Sequence, residues 1–340
     1  MRALLLACAL PWLAGCDTIA YYGQAIGGHF AIMAAARPVE TWLADPETPA
    51  PLRDRLETAR RIRAFASSAL SLPDNASYTS YADLGRPFVV WNVFAAAEFS
   101  VQPRPECFPF TGCVGYRGFF SLEAAQRHAA QLAAAGFDVH VGGVPAYSTL
   151  GWFDDPLLSS FIGYSDAQLA RLLFHELAHQ VAYARDDTMF NESFAVVVEE
   201  EGVRRWLAAE GRSAELQAFR ELQARRRLYA QKVKDLRDEL AALYASDLPP
   251  EAKRARKAEG FAKLRAEYPR TVPAQPSNAF LVSVALYTEL VPQFEALLRE
   301  SGSLEAFYAR VRELAATTKA DRPFFGTPAA RAGARTTPRD

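Results

Sequence analysis

The sequence predicts an α+β protein that is mainly helical. Three observations carry this. Apolar residues recur at helical spacing through residues 38–72, 165–185 and 189–210 and through most of the chain that follows. Segments 88–94 and 137–141 are instead rich in β-branched and aromatic residues. Half of the 340 residues are hydrophobic, enough for a sizeable core in one large or two small domains. A net charge of −1 gives no electrostatic case for a nucleic-acid partner.

Met1 and Arg2 form a short positive start, Ala3–Leu10 an apolar run, and Leu13-Ala14-Gly15-Cys16 closes it. The run is too short to span a bilayer as a helix. Leu-Ala-Gly-Cys resembles the lipobox of bacterial lipoproteins. That resemblance implies a signal peptide over 1–15, acylation of Cys16, a lipidated tether over 16–36 and a place in the cell envelope facing the periplasm. Asp17 resembles an inner-membrane retention signal. An ordinary secretory signal with an incidental cysteine is the alternative. Residues 18–36 read as a tether or an amphipathic helix, and His29 as a surface or interface residue.

Residues 38–72 read as one or two helices, with Leu52, Leu56, Ala59, Ile62 and Phe65 in phase. Phe88–Phe94 is a strand and Glu98–Val101 a second one. Ser121 opens a helix that Gly136 ends. Phe137–Val141 alternates as a strand and points His140 to solvent. Of the four cysteines, Cys107 and Cys113 remain once Cys8 leaves with the signal peptide and Cys16 takes lipid. In an oxidising compartment they read as a local disulfide, since a second metal site would need His or further Cys nearby.

Ser165-Asp166, with Gln168 in capping-box register, starts the next helix, and Leu169, Leu172, Leu173, Leu177 and Val181 form its buried face. This helix carries His175-Glu176-Leu177-Ala178-His179, an HExxH motif. Positions four apart share a helix face, so both imidazoles can reach one ion, and Glu176 can serve as general base. The bland alternative is a core helix with two ordinary histidines. A zinc site needs a further ligand. A second helix over about 189–210, capped by Asn191, would present Glu192 from its first turn. Such a pair of helices joined by a short loop packs side by side and brings Glu192 towards the histidines.

HELAH followed by NESFA resembles the gluzincin peptidases. The resemblance implies one Zn2+ per chain held by His175, His179 and Glu192, a zincin-like fold and peptide-bond hydrolysis. Glu199 matches a carboxylate that orients a ligand histidine in related aminopeptidases, and Asn191 belongs to the same supporting set. From His179 to Glu192 is thirteen positions, shorter than in thermolysin. A closer resemblance is to a bacterial family of predicted zinc aminopeptidases that are lipid-anchored. It extends from the lipobox through the 275–292 region and implies a metallopeptidase domain over 37–325.

Residues 143–150 precede the HExxH helix and are proposed to bind substrate backbone by strand addition, the alternative being a structural loop with a buried Trp152. Residues 210–268, broken at Pro249-Pro250, read as a projecting helical hairpin with a basic run, Arg225-Arg226-Arg227. Asn278 opens a helix carrying Tyr287, the first candidate for stabilising an oxyanion. Tyr147 is the second candidate. Phe294–Ala316 reads as one final helix and 326–340 as a disordered tail. An aminopeptidase also needs an acid to hold the free amine; Glu98, Asp154 and Asp155 are candidates. The sequence leaves open a zinc hydrolase acting on a non-peptide amide and a non-catalytic binding lipoprotein.

Overall fold

A computed structural model describes residues 21–108 and 112–322. The segments expected to be a signal peptide (1–15) and a disordered tail (326–340), with Cys16 and Asp17, lie outside the described residues. The protein is α+β and mainly helical, with three small sheets among the described residues.

The chain enters as helix α1 (residues 21–35), which carries the predicted tether segment onto the domain. Ile32 is buried there, and His29 shares a hydrogen bond of 2.6 Å with the Tyr147 hydroxyl. Next come β1 (Arg37–Pro38), α2 (Val39–Ala44), α3 (Ala50–Leu70) and β2 (Ser80–Ala82). Within α3, Leu56, Ala59 and Ile62 are buried, as their spacing requires. Strand β1 pairs with β2 antiparallel, and β2 pairs in parallel with β8 (Leu157–Leu158).

The second sheet is built on β3 (Val90–Ala97). A disulfide-linked ribbon of β4 (Glu106–Phe108) and β5 (Gly112–Val114) joins Cys107 to Cys113. After it follow β6 (Arg117–Phe119), α4 (Leu122–Ala134) and β7 (Phe137–Val144). The order is β6-β3-β7, all antiparallel, so β7 is an edge strand. Both faces of β3 are covered. Trp91, Val93 and Ala95 pack with Ala125, Ala129 and Leu132 of α4. Phe94 and Ala96 pack with Ala279, Val282 and Leu286 of a later helix, α9 (Asn278–Thr288). His140 is opposite Phe94 in register and its ring lies 5.5 Å from that of Phe280. The prediction that it faces solvent therefore fails. Alternation in β7 says which residues share a face, but α9, coming 140 positions later, decides that the second face is covered.

Glu98–Val101 is not a strand. The chain turns there, with the Ser100 amide on the Ala97 carbonyl, and Val101 packs into the hairpin core. Helix α5 (Asp166–Val181) and helix α6 (Thr188–Ala209) make the most extensive helix pair. The cap of α6 is Asp187, which accepts from the Phe190 amide, and not Asn191. Asn191 lies inside the helix; its side chain accepts from the Ala184 amide and donates to the Ala184 carbonyl, bracing the connecting loop. The hairpin is α7 (Ser213–Ala245) and α8 (Pro250–Glu267). The predicted final helix is two, α10 (Val291–Ser301) and α11 (Leu304–Ala316). Gly302 adopts φ +73° between them, and Ser303 caps the second by accepting from the Ala306 amide.

Gly202 on α6 sits where α5 presses closest. A Cβ there would stand 2.6 Å from the buried Phe174 ring and 2.9 Å from Leu70. Gly202→Val is expected to destabilise the fold by about 1–3 kcal/mol through overpacking. A denaturant midpoint equal to that of the parent protein would show that the helices can part without cost.

Candidate metal centre

His175 and His179 stand one turn apart on α5, their rings 4.9 Å apart and nearly perpendicular at 86°. Glu192 enters from the second turn of α6, one turn later than an Asn191 cap would have placed it. His175 Nε2 lies 3.2 Å from Glu192 Oε2 and 3.2 Å from His179 Nε2, while His179 Nε2 lies 3.7 Å from the same oxygen. One potential ligand atom from each residue falls within 4.8 Å of the others.

Glu199, two turns further along α6, is 3% exposed. It accepts from His175 Nδ1 at 2.9 Å and from Arg171 Nη1 at 2.8 Å. A carboxylate only accepts, so Nδ1 is the donor, and whenever His175 is neutral its Nε2 lone pair is the one turned towards His179 and Glu192. The neighbouring Glu200 pairs with Arg227, and Glu201 with Arg204 and Arg205, on the outer side of the helix.

The electrostatics suit a cation. Glu176, Glu192 and Glu199 are three buried carboxylates within one cluster, with Arg171 at its edge. Burial alone would lower the pKa of His175, but the hydrogen bonds to Glu192 and Glu199 outweigh it and raise it to about 10. In the bare protein a proton on His175 thus balances the charge. Burial drives His179 the other way, to about 4, so it keeps a lone pair to offer. Its Nδ1 is buried with no hydrogen-bond partner among the described residues. Burial opposes ionisation of Glu192, but His179, together with the hydrogen bond and charge of His175, holds its pKa below the usual carboxylate range. Two imidazole nitrogens and one carboxylate oxygen form a donor set that fits zinc.

Glu176 sits beside this cluster. Burial lifts its carboxyl to about 7; the His175 charge works against the rise, and Glu192 and Asp155 add to it. Tyr287 reaches in from α9, its ring stacked on His175 at 6.4 Å. Burial, then the Glu192 charge, raises its hydroxyl well above the ordinary tyrosine value, so it stays a donor. Tyr147 is bonded to His29 and lines the smaller cavity together with His175 and His179.

Two tyrosines near Glu192 escaped sequence reading. Burial and the Glu192 charge raise both Tyr116 and Tyr183. Tyr183 follows His179 by four positions, which could have flagged it. Tyr116 comes from the β5–β6 turn, and nothing local marks it. Asn191, expected to support the ligands, braces the loop instead. Of the three candidate amine anchors, Glu98 is tied to Arg254 on the hairpin, and Asp155 is buried and accepts from Thr149. Neither they nor Asp154 line the cavities beside the centre.

Those cavities measure about 940 and 490 Å3 and share His175, Glu176, Val144, Ala146 and Tyr287 as walls. Gly143 and Val144 end the edge strand β7, which pairs with β3 alone among the described residues. Residues 145–150 have left the strand, so only the first part of the predicted substrate edge is extended. Trp152, taken as buried in the loop alternative, is 78% exposed.

No curated protein and no solved structure matches the chain. A family model described as putative aminopeptidase matches residues 20–324. The chain, with its paired histidines and converging glutamates, belongs to that putative aminopeptidase family.

Proposed function

We propose that the protein is a zinc-dependent peptidase, an aminopeptidase by its family, held at a membrane by lipid on Cys16. The observation that carries the reading is the convergence of His175 Nε2, His179 Nε2 and Glu192 Oε2 beside Glu176 at the meeting of two cavities. It supports a gluzincin-type centre in a zincin-like fold. His175, His179 and Glu192 would hold the ion, and Glu199 would fix the His175 tautomer.

Zinc, when bound, supplies a Lewis acid that acidifies a water and polarises a peptide carbonyl. Glu176 takes the proton of the attacking water and delivers it to the leaving amine. A group that must do both near neutrality works best with a pKa near the working pH, and burial provides this. The Tyr287 hydroxyl donates to the oxygen on which negative charge develops. The free edge of β7 at Gly143 and Val144 pairs with the substrate backbone. Cavity access to His175 and Glu176 favours a catalytic centre over a purely structural one, whose fourth position protein would close.

The membrane reading draws on α1. Residue 21 already belongs to a helix docked on the domain, so Cys16 lies within five residues of the folded body. Ile26, Phe30, Trp152 and Phe153 are exposed on this side, with the Phe30 and Phe153 rings 6.3 Å apart. Such a face suits the headgroup boundary of a bilayer, which would be the inner membrane if Asp17 acts as a retention signal.

Purified full-length protein is expected to carry about one zinc per chain, and His179→Ala to lose it. Elemental analysis decides this, and a metal-free parent protein would remove the reading. Glu176→Gln should retain zinc while hydrolysis falls by about 10²–10⁴-fold. Equal rates for variant and parent would end the general-base assignment. Fluorogenic peptides with free and blocked amino termini, run side by side, separate the remaining options. Cleavage of free-amine substrates alone is expected, and cleavage of blocked ones would make the enzyme an endopeptidase.

A further inference from the structure

The larger cavity carries one guanidinium, Arg226, with no carboxylate partner among the described residues, and a second, Arg171, that is only partly engaged. It extends from His175 and Glu176 along α7, and most of the cations in its wall are matched. Arg227 pairs with Glu200 and Glu295, Arg237 with Glu289, and Lys234 with Asp238. Arg226 forms no ion pair with any described residue; its Nη1 donates to the neutral Gln223 Oε1 at 3.2 Å. Arg171 spends Nη1 on Glu199, while its Nε is buried with no partner among the described residues. The two arginines repel: burial, then the Arg171 charge, lowers the pKa of Arg226, and Glu199 and Glu200 offset part of this. A half-buried guanidinium with no carboxylate partner among the described residues has a planar anion as its natural complement.

We propose that Arg226 and Arg171 grip a carboxylate of the substrate inside this cavity. The distance sets the substrate class. Arg171 precedes His175 by four residues, about 6 Å along α5. An extended peptide covers that in about two residues. The carboxylate therefore sits within a residue or two of the scissile bond. It is either the free C-terminus of a di- or tripeptide or an acidic side chain next to the bond. The inference rests on the peptidase reading, and it makes the enzyme one that prefers short or acidic peptides.

The test uses the full-length, zinc-loaded protein and two matched pairs of substrates. One pair is trialanine and trialanine amide. The other is two tripeptide amides with aspartate or asparagine after the scissile bond. For at least one pair, kcat/KM is expected to favour the acid by about ten- to a hundredfold, the range of a charge-assisted hydrogen bond. The pair that shows the preference identifies the source of the carboxylate. Arg226→Gln should collapse the ratio, and Arg226→Lys should keep part of it. Equal rates within both pairs, or a ratio that survives Arg226→Gln, would overturn the proposal. Ligand-observed NMR on the metal-stripped chain reads the same preference without turnover. If nothing is cleaved, the peptidase reading fails. Preferential binding of the acids, lost in Arg226→Gln, would then still support the carboxylate site, and equal binding would refute it.

Discussion

The site depends on α5 lying tightly against α6. The two histidines of α5 face two of the acids of α6: His175 meets both Glu192 and Glu199, and His179 meets Glu192. Several features hold this contact. Gly202 lets the Phe174 ring lie against the α6 backbone. Asn191 closes two hydrogen bonds with Ala184 and sets the entry of α6 after a short loop. Asp187 caps α6 and pairs with the buried Arg322 at 2.6 Å, which ties the end of the domain to the same turn. At the other end of α5, Asp166 bonds Arg55 of α3 and Arg212 at the start of α7.

That contact buries like charges, and the arrangement shows how they are managed. Three carboxylates out of water would strongly disfavour ionisation unless compensated. Glu199 is compensated by Arg171 and His175 and remains ionised. Glu192 is compensated by the two imidazoles. Glu176 has less help, and its carboxyl rises to about 7. One helix pair thus separates its acids into two held charged and one raised to near neutrality.

The remaining elements form walls. In the β6-β3-β7 sheet β7 is an outer strand, while α9 covers one face of β3 and α4 the other. Helix α9 also delivers Tyr287, so the covering of the sheet and the completion of the site are one packing event. The α7–α8 hairpin has its own apolar core, with Val233, Leu236 and Leu240 against Phe261 and Leu264. It does not project as an isolated arm, since α7 lends Arg226 and Arg227 to the larger cavity.

The sequence by itself determined the local features. Helical spacing placed the buried faces of α3, α5 and α6, because a period of 3.6 residues is a property of the segment alone. The HExxH spacing put two imidazoles on one face, the NESFA stretch put Glu192 on the next helix, and the compartment logic of Cys107 and Cys113 anticipated their disulfide. What the sequence could not decide were relations between distant segments. His140 turned inward because α9 lies over β7. Tyr116 and Arg226 joined the site from a turn and a hairpin that carry no motif. Asn191 took a structural bond within reach of the α5–α6 loop. The final helix broke at Gly302, whose left-handed backbone ends α10 before the Ser303 cap. Long-range packing supplies these outcomes, since burial and charge pairing depend on which surfaces meet, and no window of the chain contains both.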